Sequence, residues 1–260
     1  MSVVTKKSFS VILPCHNEES YLLYSLPSIF DLNPTEVLIL LDHCTDATAH
    51  VAKTLAFKYQ MSTRLTLVNV DEFSDFRMRF AYLRWIGCKL CTYDTVLVTG
   101  ADLILDPKIR DYLCSLNDSV KMINFGYQDF PINWRNLLKR LMTKLMRRVG
   151  SERWLSGVHV FSKQAMLEME DLDDLKRIEA AQDTHLHKAI QRKYETVYIL
   201  TATLHLRPKE SGDRHYLRGK LYWNVAHRGF LITLLSAVSM FRLNLIKGYI
   251  HERFGAAKNE

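Results

Sequence analysis

The chain has 260 residues and a mass of 30.3 kDa, with 48% hydrophobic and 24% charged residues. That balance excludes intrinsic disorder, and the length suits one large domain or two intimate halves around one core. Lys and Arg (35) outnumber Asp and Glu (28), and the net charge of +7 points to an anionic partner: nucleic acid, a membrane surface or a phosphorylated substrate.

Phe9–Leu13 is a short apolar run stopped by Pro14 and reads as a buried strand. Glu18 to Phe30 has the apolar spacing of a helix. Val37–Leu41 is a second buried strand that ends at Asp42, and Asp46 is placed to cap the helix that follows through Val51, Leu55 and Tyr59. Leu65–Val70 alternates as a third strand, and Phe76, Phe80, Leu83, Gly87 and Leu90 keep a helical period. Thr95–Thr99 is a fourth strand, followed by GADLILDP, with Pro107 where a helix would start. Further on, Met122–Tyr127, Gly157–Phe161 and Thr196–Leu200 read as strands and Gln182–Arg192 as a helix. Strands alternating with helices predict an α/β fold with a mostly parallel central sheet flanked by helices. The expected organisation is a main domain over 1–210, with halves 1–120 and 121–210, and a basic, apolar helical tail over 211–260.

Ligands of such sheets bind at the carboxyl ends of the strands. Three polar clusters fall there: Cys15–Glu19, Asp42–Asp46 and Asp102. Carboxylates brought close repel, so this edge implies a cation or a donor-rich ligand. The five cysteines, Cys15, Cys44, Cys88, Cys91 and Cys114, are an odd number, and Phe9–Leu13 is too short for the core of a secretion signal. They read as reduced thiols of a cytoplasmic protein. Cys88 and Cys91 form a lone CxxC with no second pair, which argues against zinc.

The basic charge is local. Residues 133–153 carry a net +6 and residues 207–228 a net +4, which leaves −3 for the rest of the chain. Trp134, Leu137, Leu138, Leu141, Met142, Leu145, Met146 and Val149 make an apolar helical stripe, and the opposite face holds six basic residues and no acid. Such a helix over Trp134–Val149 fits an anionic membrane surface; packing on the core with a solvated face is the alternative. The tail alternates Arg and Lys with aromatics before its apolar run, Gly229 to Phe241, whose 13 residues are too few for an ordinary spanning helix. It is suited to clamp phosphate through Arg214 and Arg218, to dock on lipid, or to form a homodimer helix. No nucleic-acid motif is present, so nucleic acid is not expected as a partner.

These residues together resemble the family 2 glycosyltransferases, which share the nucleotide-sugar-binding GT-A (Rossmann-like) fold. FSVILPCHNEES resembles their first strand and turn, with Pro14, Asn17 and Glu18 matching Pro-x-x-Asn-Glu. LDHCTDATAHVAK is similar to their Asp-rich second turn at Asp42, Thr45, Asp46 and Thr48. LRWIGCKLCTYDTVLVTGAD is similar to the unit that leads to Asp-x-Asp, with Arg84, Gly87 and Asp102 matching. SGVHVFSKQAMLEM and AAQDTHLHKAIQRKYETVYI resemble the acceptor-side segments, with Asp183 matching, and His205 falls where many members carry a histidine. Three positions depart from the pattern: Gly100 replaces the first Asp of Asp-x-Asp, Trp85 an Asn, and Gln182 a Glu.

The resemblance implies inverting transfer of a sugar from a nucleoside diphosphate sugar, a UDP-sugar rather than a GDP-sugar, to a hydroxyl or lipid-phosphate acceptor. A divalent cation, Mg²⁺ or Mn²⁺, would be held by Asp102 and His205. Pro14, Cys15, Asn17, Glu18, Asp42, Gly100 and Ala101 would line the donor site, with Arg84, Arg214 and Arg218 near the phosphates. Asp183 would be the catalytic base, and the enzyme would sit on the inner face of the membrane with a lipid or glycan acceptor. Blander readings stand beside these. Asp102 fits a cap before Pro107, Asp42 a turn cap, Asp183 a helix cap, His205 a surface histidine and Arg84 an exposed helix arginine. Asp106 is a substitute metal ligand or an exposed cap. Two other functions compete: a nucleotidyltransferase of related fold, and a non-catalytic membrane-peripheral module with a degenerate nucleotide-sugar site.

Overall fold

The structure is a computed structural model that describes residues 7–70, 79–113, 116–117, 119–129, 156–169, 190–206, 246–247 and 249–250. The chain divides into two compact units, Met1–Pro131 with Trp154–Leu206 and Ile132–Arg153 with Arg207–Glu260. The fold below belongs to the first unit. The helix expected at Trp134–Val149, and Asp183, Arg214 and Arg218, lie outside the described residues.

Elements follow in chain order as β1 (Ser10–Cys15), α1 (Glu19–Asp31), β2 (Glu36–Asp42), α2 (Thr48–Lys58), β3 (Leu65–Val70), α3 (Arg79–Leu90), β4 (Thr95–Thr99), β5 (Leu103–Ile104), α4 (Ile109–Tyr112), β6 (Val120–Asp129), β7 (Ser156–Ser162), α5 (Lys163–Met169) and β8 (Glu195–His205). One eight-stranded sheet has the order β3-β2-β1-β4-β7-β6-β8-β5. The first four run parallel, β7 runs antiparallel to both β4 and β6, and β6 pairs parallel with β8. The α/β architecture with a mostly parallel sheet therefore holds.

The apolar runs of β1, β2 and β4 follow from burial on both faces, because helices cover each side of a parallel sheet. Val11, Leu13, Val37, Ile39 and Leu97 belong to the core shared with α1 and α2, through Leu22, Leu26, Ile29, Ala52 and Leu55. Their neighbours Ile12, Leu38, Leu40, Val96 and Val98 belong to the opposite core, with Tyr82 and Leu83 of α3 and Met166 of α5. Each aliphatic side chain so buried contributes about 1.5–3 kcal/mol.

Three features differ from the sequence expectation. β1 continues through Pro14 to Cys15. Its pairing with β4 ends at Ile12, so the proline sits where β1 is hydrogen-bonded only to β2 and its missing N–H is tolerated. β8 extends to His205 because the buried Thr201 and Thr203 have satisfied hydroxyls: Thr201 donates to the Gly126 carbonyl at 2.8 Å and lies 2.9 Å from Thr203 Oγ1. β5, of only two residues, carried no periodic signal. Among the described residues no helix is long and apolar enough to cross a membrane.

Helix α3 approaches β1 closely at Gly87, where a β-carbon would lie 2.7 Å from Ile12 Cγ2. Gly87→Ala is therefore expected to cost about 1–3 kcal/mol by overpacking. A lowered urea midpoint with an unchanged m-value would show it.

Candidate active site

The turns after β1 and β2 form one hydrogen-bonded unit. Asn17 takes the left-handed conformation (φ 55°), and its Oδ1 accepts from the amides of Thr45 at 2.8 Å and Asp46 at 3.3 Å. Asp46 Oδ2 accepts from the Glu19 amide at 3.1 Å, at the start of α1, while its Oδ1 accepts from the amide and hydroxyl of Thr48, at the start of α2. In return, Glu19 accepts from the Ala47 amide at 2.8 Å and Thr48 Oγ1 from the Glu18 amide at 2.8 Å. Asp46 thus caps the second helix, as expected, and also serves the first. Burial works against its charge, but the Thr48 hydroxyl and the backbone amides outweigh burial and hold the carboxyl below its usual range.

Beside this unit, at the ends of β1 and β2, Asp42 is buried. Its Oδ1 is 2.9 Å from His43 Nδ1, and its carbonyl oxygen accepts from His16 Nδ1 at 2.7 Å. Cys15 is buried, and Cys44 Sγ donates to its carbonyl at 3.3 Å. Burial, then the Glu18 carboxylate, pushes the Cys15 thiol well up. Burial also raises Cys44. Both thiols stay protonated near neutrality, so neither is a nucleophile.

The third cluster is built from distant parts of the chain. Leu103 pairs with His205 across the antiparallel β5–β8 ladder, and the Leu206 amide donates to the Asp102 carbonyl at 2.9 Å. This brings Asp102 Oδ2 to 3.2 Å from His205 Nε2. The two side chains are 15% and 24% exposed, so His205 is half-buried; its ring also lies 5.0 Å from that of Tyr127. A β-carbon on residue 100 would stand 2.7 Å from Asp102 Oδ1, so Gly100 leaves the space that this carboxylate occupies.

Asp106 is buried, not an exposed cap. Its Oδ1 accepts from the Lys108 amide at 3.0 Å, just before α4. Its Oδ2 accepts from the Ala202 amide at 2.7 Å, and its own amide donates to Thr203 Oγ1 at 3.2 Å. These bonds fasten the segment of β8 where three residues, Thr201–Thr203, stand opposite the single Tyr127 of β6. Asp106 is committed to the fold and is no substitute metal ligand.

Arg84 of α3 is fully buried, so the exposed-arginine reading fails. Glu18 is buried as well. His16 and His43 escaped the sequence reading because a single exposed histidine in a turn carries no periodic signal.

An oxygen and an imidazole nitrogen converging at strand ends suit a divalent cation such as Mn²⁺. Among the described residues no group of three His, Cys, Asp or Glu side chains is arranged for a metal.

The family model described as Glycosyl transferase family 2 matches residues 10–167, more than half of the chain. The chain belongs to this family. Comparison with curated proteins gives no match. Among solved structures, glucosyl-3-phosphoglycerate synthase from Mycobacterium tuberculosis, in complex with Mn²⁺, UDP and phosphoglyceric acid, is 17% identical with a TM-score of 0.55, over 80% of this chain and 73% of that one. The same enzyme with Mg²⁺ and UDP is 16% identical with a TM-score of 0.55, over 81% and 75%. S. aureus TarS 1-349 is 14% identical with a TM-score of 0.54, over 97% and 74%. These likenesses establish a shared GT-A fold around the family 2 motifs.

The two turns of this glycosyltransferase give a pH prediction. A carboxyl lowered by folding stabilises fully above its unfolded value, about 3.9, and loses that contribution as pH falls through the lower folded value. Asp46→Asn should therefore melt below wild type at pH 7, with the gap narrowing below about pH 4. Asp46→Ala, which removes acceptors from two helix starts, should cost about 1–2 kcal/mol. A pH series of thermal melts on the three proteins checks both.

Proposed function

We propose that the chain is an inverting, metal-dependent glycosyltransferase that moves a sugar from a UDP-sugar to a hydroxyl or lipid-phosphate acceptor at a membrane. The observation that carries the reading is the convergence of Asp102 and His205 at 3.2 Å, in a chain of glycosyltransferase family 2. The donor class is supported by the structural neighbours, which hold UDP with Mn²⁺ or Mg²⁺.

In this reading Pro14, Cys15 and Asp42 cradle the nucleoside, with Asn17 and Glu18 shaping the turn beneath it. Gly100 and Ala101 give the donor close access to backbone, and Asp102 with His205 would hold the cation. When bound, that cation neutralises charge developing on the diphosphate leaving group. Arg84 supplies positive charge toward the phosphates. Asp183 takes the proton of an acceptor hydroxyl as that oxygen attacks the anomeric carbon, which inverts the centre. A lipid phosphate is already ionised at pH 7, and then Asp183 only orients it.

Thermal-shift titration with UDP, with and without Mn²⁺, tests the donor site. Wild type should gain about 2.7 kcal/mol at one hundred times Kd, Asp102→Ala should lose the metal-dependent part, and Asp183→Ala should keep it while losing transfer to a hydroxyl acceptor. Folded wild type that shifts with no nucleoside diphosphate would sink the reading.

The membrane part rests on the basic, apolar segment Trp134–Val149. Each cation near an anionic surface contributes about 1 kcal/mol. Replacing Lys139, Arg140, Lys144 and Arg147 by Gln should cut binding to phosphatidylserine vesicles at least a hundredfold; unchanged co-sedimentation would rule the surface out.

A further inference from the structure

His43 stands just past the end of β2 with φ 47°, the left-handed region where a side chain is strained and glycine is favoured. Such strain persists only where the surroundings hold it, and it concentrates at ligand sites. One contact on the ring is His43 Nδ1 on Asp42 Oδ1 at 2.9 Å. The side chain of His43 is 39% exposed and that of Asp42 only 5%, so the imidazole is the part of the pair that meets solvent. His16 reaches the same residue from the neighbouring turn, 2.7 Å from the Asp42 carbonyl. A carboxylate and a carbonyl only accept, so Nδ1 donates in both rings.

We propose that His43 is a positioning residue for donor recognition, holding the Asp42 carboxylate in place for the nucleoside. The ligand chemistry is that of a ribose hydroxyl or a base N–H, groups that donate to the Asp42 carboxylate. His43 contributes at the nucleoside end, away from the cation and the phosphates. This inference rests on the donor site proposed above.

Glycine at this position separates function from folding, because it suits the backbone and removes the ring. Equilibrium titrations of wild type, His43→Gly and His43→Ala with UMP, GMP, and UDP plus Mn²⁺ make the test, alongside thermal melts. His43→Gly is expected to melt at or above wild type, while His43→Ala melts below it. Both should bind the preferred nucleoside monophosphate about fivefold to tenfold more weakly, one hydrogen bond's worth. The affinity for UDP plus Mn²⁺ should fall by the same factor. If wild type binds and His43→Gly binds monophosphate equally well, this inference is overturned and the donor site stands. A loss confined to UDP plus Mn²⁺ also overturns it, since His43 would then act at the phosphates. A folded wild type that binds no nucleotide removes the donor-site reading, and this inference with it.

Discussion

Only Gly100, Ala101 and Asp102 separate β4 from β5, yet β7, β6 and β8 lie between them in the sheet. Four strand spacings of about 4.8 Å would put β5 about 19 Å away on a flat sheet. The linker reaches about 14 Å when fully extended. The sheet must therefore turn over, and β8 must come back toward the end of β4. The irregular stretch Thr201–Thr203 of β8 is where the ladder breaks step, and Asp106 accepts the backbone amide that this frees. The convergence of Asp102 with His205 follows from that return. The Asp102–His205 geometry is thus a consequence of a short linker, with Asp106 fastening β8 beside it.

A second constraint shapes the other half of the edge. The first amides of α1 and α2 have no partners within their own helices. Each turn supplies acceptors to the other, through Asp46 and Glu19, with Asn17 and Thr48 between them. Crowded carboxylates at this edge suggest a cation when read from the sequence. In the structure Glu19 and Asp46 accept from backbone amides, while Asp102 meets His205. The same donors fix the turn that carries His43 and Asp42 relative to the one that carries Cys15.

The parallel strands were legible because burial on both faces writes continuous apolar runs, and their ends placed Asp42 and Asp102 correctly. Asp46 was legible as a cap from its position before Thr48, but its service to α1 was not, since that partner lies 27 residues away. β8 was cut short in the sequence reading because its later half buries threonines whose hydroxyls are satisfied locally. The burial of Arg84 ran against the usual exposure of arginine. His43 was hidden because its backbone conformation, rather than its residue type or spacing, is what marks it.

The pairing of β5 with β8 also has a meaning in time. Asp102 and His205 are 103 residues apart. At a synthesis rate of about 5–20 residues per second, Asp102 is made roughly 5–20 seconds before its partner. Through that interval β1 to β4 can already pair among themselves, while β5 has no strand to join. The nascent chain thus forms the turns after β1 and β2 well before Asp102 meets His205, and that pair closes only with the last strand of the sheet.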